Sequence, residues 1–172
     1  MPERLNETQT RILEATGAVL VRNGQRKLSM SDVAAEAGVS RPTLYRWYPS
    51  KVDLLEAFGR YEQVKFESGM ALALEGLTGL DALNAALEFI ADFQQVYSLT
   101  QLSEIEPEHV IFEMNRTLPI MRRRLATLIS GDDAELIAGT IVRVAICHFL
   151  IAGDDRAELL DQLRHAAGIV LV

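Results

Sequence analysis

The chain has 172 residues, of which 49% are apolar and 24% are charged, and its formal net charge is −7. This composition is typical of a globular protein and excludes disordered and fibrous chains. The single cysteine, Cys147, excludes an internal disulfide and a CxxC metal or redox site, and it indicates a reducing, cytoplasmic setting.

Apolar residues recur three and four positions apart along the whole chain, a spacing that predicts an all-α protein. The first helix is predicted over residues 7–22, because Asn23-Gly24 supplies a typical C-terminal stop. A second helix of only about two turns is predicted to begin at Ser29, a good N-cap residue, and to stop at Gly38. A helix this short needs neighbours that stabilise it.

A third helix is predicted to begin after Ser40, with Pro42 in its first turn and Pro49 just beyond its end. Gly38 lies between the second and third helices, where a glycine can adopt the left-handed conformation that a tight turn requires. Two short helices joined by such a turn indicate a helix-turn-helix, a motif that places its second helix in the major groove of DNA.

The third helix has two predicted faces. Leu44 and Tyr48 share one face, which we expect to pack inward against the first two helices. The opposite face offers a guanidinium, a hydroxyl and an apolar ring, which are groups suited to base edges. The residues of this outer face are Pro42, Thr43 and Arg46, with Tyr45 and Trp47 on the two flanks.

Charge is distributed unevenly along the chain. Residues 1–60 contain nine Lys or Arg against seven Asp or Glu, whereas residues 61–172 contain eight against seventeen. No acidic residue occurs from 38 to 52, where Arg41, Arg46 and Lys51 fall. A locally positive surface inside an acidic chain favours a nucleic-acid partner for this segment. The alternative is that its aromatic residues form the core of some other helical bundle and its cations only solvate the surface.

The remaining chain is also predicted to be helical. Ser50 caps a fourth helix that continues toward Leu74, and this helix is the predicted connector between two domains. Pro119 is expected to separate two of the later helices. These later helices are predicted near residues 80–98, 106–117, 119–130, 133–152 and 155–170.

Three segments of the N-terminal region resemble a known family. They are Leu28-Ser29-Met30-Ser31-Asp32-Val33-Ala34, Ala37-Gly38-Val39-Ser40 and Thr43-Leu44-Tyr45-Arg46-Trp47-Tyr48-Pro49-Ser50-Lys51, with Leu54-Leu55 following. Over about residues 8–58 the chain is similar to the DNA-binding domain of TetR-family transcriptional regulators. The resemblance implies an all-helical homodimer with a three-helix DNA-binding domain, residues 1–52, and a C-terminal effector-binding and dimerisation domain, residues 53–172.

The resemblance also implies which residues contact double-stranded DNA. The start of the second helix would meet phosphates, the outer face of the third helix would face the major groove, and its flanks would clamp the DNA backbone. The phosphate contacts at the start of the second helix would be Ser29 and Ser31. The residues facing the major groove would be Arg41, Pro42, Thr43 and Arg46, and the backbone clamps would be Tyr45, Trp47 and Lys51. Tyr48, where the family usually has Phe, is expected to be buried against the first helix.

The implied function is a cytoplasmic, nucleoid-associated repressor that leaves a pseudo-palindromic operator when a small effector binds and rotates the connector helix. Mostly aromatic and aliphatic walls suit a hydrophobic or amphipathic effector with one or two polar handles. The expected lining residues are Phe89, Phe93, Tyr97, Phe112, Met114, Arg116 and His148. Plain core packing of the same residues is the alternative.

Two late helices carry apolar residues around most of their circumference, so one core face cannot bury them all. Pairing two helices from each chain about a two-fold axis would bury the remainder in a four-helix interface. The residues predicted for this dimer interface are Ile137, Ile141, Val144, Ala145, Leu159, Leu163, Ala166 and Val170. The alternative is a thick core within a monomer.

Other candidate sites are weak. Neighbours such as Cys147 and His148 point about 100° apart on a helix, so no catalytic residue is predicted there. His109 and His165 lack metal-ligand spacing, and no metal or cofactor is predicted. The basic run at residues 122–124 is expected to complement its helix dipole or to lie in water.

The polar N-terminus predicts no secretory signal, and the longest apolar stretch, residues 144–152, is too short for a membrane span. Two other functional classes remain open. One is a structural DNA-binding adaptor of the same fold that recruits a protein partner without a small ligand. The other is an enzyme built on a helical bundle, which would need a convergent cluster of titratable groups that the sequence does not offer.

Overall fold

The computed structural model describes residues 5–96, 107–150 and 155–169, and all regular secondary structure in these ranges is α-helical, which confirms the all-α prediction. Within the same ranges, no helix combines the length and the apolar composition that crossing a bilayer requires. The helices described are α1 (Glu7–Lys27), α2 (Met30–Glu36), α3 (Arg41–Trp47), α4 (Lys51–Ala73), α5 (Gly79–Val96), α6 (Pro107–Ala126), α7 (Ala134–Leu150) and α8 (Arg156–Ala166).

The helices belong to two compact units, Met1–Lys65 and Phe66–Val172, and α4 runs from the first unit into the second. The division lies within α4, where a continuous helix crosses from one set of packing partners to another. The functional boundary expected after residue 52 stays a prediction.

The first helix starts and breaks for identifiable reasons. The Asn6 side chain accepts a hydrogen bond from the Gln9 amide, and the Gln9 side chain accepts one from the Asn6 amide, which together form a capping box. Regular geometry ends at Gly24, whose φ is +73°, as the predicted stop requires. One further turn then extends α1 to Lys27, beyond the predicted end at residue 22.

The core of the first unit draws on all four of its helices. Ile12 and Leu13 from α1, Val33 from α2, Leu44 from α3 and Leu54 from α4 are at most 1% exposed. Burial of each of these side chains contributes about 1.5–3 kcal/mol to the stability of the folded state. The short helices α2 and α3 are therefore held by the apolar face that they share with α1 and α4.

The second unit packs the C-terminal helices around Leu87, Ile141 and Leu163, which are fully buried. The predicted break at Pro119 is wrong, because α6 continues through this exposed proline. Proline removes one backbone hydrogen bond from a helix interior. Leu118, beside the proline, packs against the core of the unit together with other residues of α6, and this packing offsets the loss.

Two arginines of α8 bind polar and acidic residues of α5 in the second unit. The Arg164 guanidinium donates to Asn84 Oδ1 at 2.8 Å and to Glu88 Oε1 at 2.7 Å. At the first residue of α8, the Arg156 guanidinium hydrogen-bonds Asp92 and holds the pKa of that carboxyl below its usual value. These contacts fix the pairing of α5 with α8 along their length.

Candidate nucleic-acid interface

The turn between α2 and α3 is closed by backbone hydrogen bonds. Gly38 has a φ of +63°, and its amide donates to the Ala35 carbonyl at 3.1 Å. The Val39 amide donates to the Ala34 carbonyl at 3.0 Å. This pair of bonds is the Schellman pattern, which satisfies the free carbonyls at a helix C-terminus. The helix-turn-helix predicted from the sequence is therefore present, with α3 beginning at Arg41.

Two arginines of α1 hold this turn in place. The Arg11 guanidinium donates to the Ala37 carbonyl at 2.5 Å and to the Gly38 carbonyl at 3.3 Å. Arg22 forms an ion pair of 3.0 Å with Glu36 at the end of α2. Neither contact was predicted from the sequence. The available signal was their separation of eleven residues, which is about three helical turns and places both side chains on one face of α1.

The inner face of α3 is buried as predicted. Leu44 is fully buried and Tyr48 is 6% exposed, both within the core of the first unit. The Tyr48 hydroxyl is also buried, and it has no hydrogen-bond partner within the described part of the chain. Burial raises the pKa of the Tyr48 phenol, and the positive charge of Arg60 acts in the opposite direction.

The outer face of α3 is open to solvent. Arg41, Pro42, Tyr45 and Arg46 are exposed, and Thr43 is half-buried. Because Leu44 and Tyr48 fix the rotation of the helix, the outer side chains project away from the unit. A seven-residue helix presents two guanidiniums and apolar groups together on this face, which is a suitable set for the floor of a major groove. Contact of these residues with DNA stays a prediction.

Two residues predicted to clamp the DNA backbone, Trp47 and Lys51, are engaged within the first unit. The Lys51 ammonium donates to the carbonyl oxygens of Gln25 and Arg26 at the C-terminus of α1, where a cation also complements the helix dipole. The indole N–H of Trp47 is buried without a hydrogen-bond partner among the described residues, so it is not available to a phosphate in this conformation. The Trp47 ring instead packs on the core and lies 5.7 Å from the Arg46 guanidinium carbon.

The two serines predicted to meet phosphates lie at the start of α2. Ser29 is its N-cap residue, and its hydroxyl oxygen accepts a hydrogen bond from the Asp32 amide at 3.1 Å. Ser31 lies in the first turn, and both serines are half-exposed. The Ser29 hydroxyl hydrogen is not used by the cap, so it can still be donated to an anionic oxygen.

The predicted effector-pocket residues are only partly brought together. Phe89 and Phe93 of α5 contact each other and Phe66 of α4, with ring centroids 5.1–5.9 Å apart. Phe66 was missing from the prediction. Phe112 is 65% exposed and therefore lines no interior wall, which corrects the prediction at that position. Of the other predicted lining residues, Met114 is half-buried and Arg116 is exposed. The Nε2 atom of His148 lies 3.1 Å from Gln162 Oε1, and Tyr97 lies outside the described residues.

The predicted dimer interface is corrected at four positions by burial within one chain. The side chains concerned are at most 8% exposed and face the core of their own unit, so they offer no surface to a partner. They are Ile141, Ala145, Leu159 and Leu163. Of the others, Ile137, Val144 and Ala166 are half-buried and Val170 lies outside the described residues. The exposed face of α7 instead contains Leu136, Thr140, Arg143 and Cys147.

The remaining candidates have structural partners. Arg122 pairs with Glu135 at 2.6 Å, and Arg124 pairs with Glu67 at 2.8 Å, so the basic run on α6 connects helices of the second unit. Among the described residues, no group of three or more His, Cys, Asp or Glu is arranged to hold a metal ion.

Comparisons with known proteins agree with this geometry. The family model for bacterial regulatory proteins of the tetR family matches residues 12–58, which contain the helix-turn-helix. The HTH-type transcriptional repressor KstR of Mycolicibacterium smegmatis is 42% identical over 84 residues, or 48% of this chain and 41% of that protein. The HTH-type transcriptional activator FasR of the same organism is 34% identical over 89 residues, or 51% of this chain and 41% of that protein.

Solved structures extend the likeness of fold beyond the matched segment. A TetR-like transcriptional regulator from Rhodococcus sp. RHA1 has a TM-score of 0.70 at 24% identity, covering 96% of this chain and 97% of that one. The fatty acid degradation regulator FadR from Bacillus halodurans has a TM-score of 0.71 at 16% identity, covering 96% of both chains. Residues 12–58 therefore match the tetR family of bacterial regulatory proteins, and the fold of the chain is similar to that of solved TetR-like regulators.

Proposed function

We propose that this protein is a transcriptional regulator that binds a pseudo-palindromic DNA operator as a homodimer, with one α3 in the major groove of each half-site. The observation that carries the proposal is the outer face of α3, where Arg41 and Arg46 are exposed on a helix anchored by the buried Leu44. No carboxylate interrupts residues 38–52, so the segment that would approach DNA is free of acidic repulsion. The whole chain, by contrast, has a formal net charge of −7.

The proposed contacts divide into two groups. Arg41, Pro42, Thr43 and Arg46 would face base edges, which carry sequence information. Contacts with the phosphates would come from Ser29, Ser31, Tyr45, Trp47 and Lys51. In this second group, Trp47 and Lys51 would first have to release their present surroundings, so Ser29, Ser31 and the exposed Tyr45 are the better supported.

Titration of the full chain against labelled duplex DNA from the region upstream of its own gene tests this proposal. Anisotropy at about 50 and about 200 mM salt should show specific binding that weakens steeply as phosphates regain counterions. Arg46→Ala should cost about 1–3 kcal/mol of binding free energy. Arg123→Ala removes the same charge from the exposed surface of the second unit and should leave binding unchanged. Equal affinity for a scrambled duplex would contradict an operator function.

The homodimer is proposed to form through the exposed face of α7. Leu136 is 70% exposed there, with the half-buried Ile137 and Val144 on the flanks of the same face. Association of two such faces would remove this apolar area from water. Leu136→Glu should convert a dimer to a monomer in light scattering, without loss of helical circular dichroism. Glu135→Ala, one position away on an exposed side chain, is the matched control and should leave the dimer intact.

The proposed response to a small molecule rests on the aromatic cluster of Phe66, Phe89 and Phe93 in the second unit. A hydrophobic or amphipathic effector bound there would release the operator, and the function proposed is therefore repression. An effector that weakens DNA binding tenfold must bind the DNA-free state about 1.4 kcal/mol more tightly. Adding amphipathic carboxylates or aromatic compounds to the protein–DNA complex tests this step. Failure of every such compound would favour the adaptor that recruits a protein partner.

A further inference from the structure

The hydroxyl of Thr43 is already engaged within α3. Its Oγ1 lies 2.8 Å from the Oγ of Ser40, the N-cap residue, and the Thr43 amide donates to the same Ser40 oxygen at 3.3 Å. These contacts turn the polar group of Thr43 back toward the start of its own helix. A base that used this hydroxyl would compete with a hydrogen bond that the protein already makes.

The remaining substituent of the Thr43 side chain is a methyl group. The residue before Thr43 is Pro42, whose exposed side chain is purely hydrocarbon. The polar groups of the outer face are supplied by Arg41 and Arg46. The centre of the surface that would enter the groove is therefore apolar, between two guanidiniums. In the major groove, the C5 methyl of thymine is the apolar feature that such a centre can contact.

We propose that Thr43 is a specificity-determining residue that recognises thymine through a contact between its own methyl group and the C5 methyl of the base. The inference rests on the proposed function, because it needs α3 in the major groove. It commits each half-site to a thymine opposite Thr43 and assigns the Thr43 hydroxyl to the helix cap. Ser40 acts here as a positioning residue, since it holds the hydroxyl away from the base.

The test uses a pool of duplexes with a random central region, enriched by rounds of binding to the full chain. The most enriched duplex is then synthesised with deoxyuridine in place of each thymidine in turn, a change that removes only the C5 methyl group. Wild-type protein, Thr43→Ser and Thr43→Val are titrated against each duplex. The serine variant lacks the methyl group and keeps the hydroxyl, whereas the valine variant lacks the hydroxyl and keeps a methyl group in that place.

One thymine in each half-site should show coupling to residue 43. Replacing it with deoxyuridine should weaken wild-type binding about fourfold per half-site, the effect of losing about one buried methyl contact. Thr43→Val should keep this sensitivity. Thr43→Ser should bind the thymine duplex about fourfold more weakly per half-site and should no longer distinguish it from the deoxyuridine duplex. Thymines contacted by other residues would remain sensitive in all three proteins.

Three results would overturn the inference while leaving DNA binding intact. They are insensitivity of the wild-type protein to every deoxyuridine, sensitivity that Thr43→Ser retains at every position, and a loss of affinity in Thr43→Val that Thr43→Ser does not share. The last result would show that the hydroxyl reads the base. Absence of any enriched sequence would instead refute the proposed function, and the inference with it.

Discussion

Replacing Tyr48 with Phe should stabilise the first unit. The Tyr48 hydroxyl is buried without a hydrogen-bond partner among the described residues, although in the unfolded chain it would be bound by water. Leaving a buried polar group unpaired costs about 1–3 kcal/mol, and the phenylalanine ring fills nearly the same space. We therefore expect Tyr48→Phe to raise the free energy of unfolding by about 1 kcal/mol.

The chain provides its own probe for this measurement. Trp47 is the only tryptophan and packs against the core of the first unit, so its fluorescence during urea denaturation reports the unfolding of that unit. Tyr45→Phe is the matched control, because it removes a hydroxyl from an exposed side chain of the same helix. Its effect should stay within about 0.5 kcal/mol. A Tyr48→Phe protein less stable than wild type would show that the hydroxyl has a stabilising partner, and would refute the reasoning.

The same variant has a predicted dependence on pH. Burial raises the pKa of the Tyr48 phenol above its unfolded value of about 10, so the neutral form is the one that the folded state favours. The wild-type stability contributed by this group is fully present below pH 10 and is lost as the pH rises through the folded pKa. The advantage of Tyr48→Phe should therefore be constant up to about pH 9.5 and should grow at higher pH. A pH-independent difference would contradict this assignment.

Four further substitutions test the packing and the hydrogen bonds. Gly38→Ala should destabilise the first unit by about 1–2 kcal/mol, measured by Trp47 fluorescence, because φ is +63° and an added Cβ would lie 3.1 Å from an Arg11 guanidinium nitrogen. Gly69→Ala should lower the melting temperature of the second unit in circular dichroism, since its Cβ would lie 2.6 Å from the Phe89 ring; the cost expected is about 1–3 kcal/mol. Gly59→Ala, in the same helix with open space around it, should instead stabilise slightly. Arg164→Met should cost about 1–3 kcal/mol in the same assay, because that side chain is only 14% exposed and donates two hydrogen bonds to α5.

Much of the first unit could be predicted because its signals are local. Ser40 and Gly38 act on backbone groups within a few residues of themselves, so their roles as cap and turn can be read from spacing alone. The inward rotation of α3 likewise follows from the four-residue spacing of Leu44 and Tyr48. The predicted helix break at Pro119 was wrong because its signal is not local. Whether an exposed proline ends a helix depends on the packing of its neighbours, which is not local information.

The candidate site was predictable in its residue types but less so in their partners. The sequence showed that Lys51 is a cation near the third helix. In the structure its ammonium donates to the backbone carbonyls of Gln25 and Arg26 at the end of α1, which lie far earlier in the chain. Long side chains find partners across the fold, and their spacing in the chain does not identify which ones. The predicted interface of α7 and α8 needed correction at four positions for a similar reason, because an all-round apolar helix does not show which face meets its own core. Ile141 and Leu163 meet it completely.

The contacts that anchor the turn also fix the orientation of α3 in the first unit. Arg11 ties the turn to α1 through the Ala37 and Gly38 carbonyls, and Leu44 is packed in the common core, so hydrogen bonds and packing both hold α3 against α1. Under the proposed function, a helix held in this way would reach DNA already oriented, which would lower the entropy cost of binding. Arg11 is exposed and has no place among the predicted base contacts, yet its loss would loosen every one of them together. Under the proposed function, specificity would therefore depend on a residue outside the outer face, because the rigidity of α3 would decide which base each of its side chains can reach.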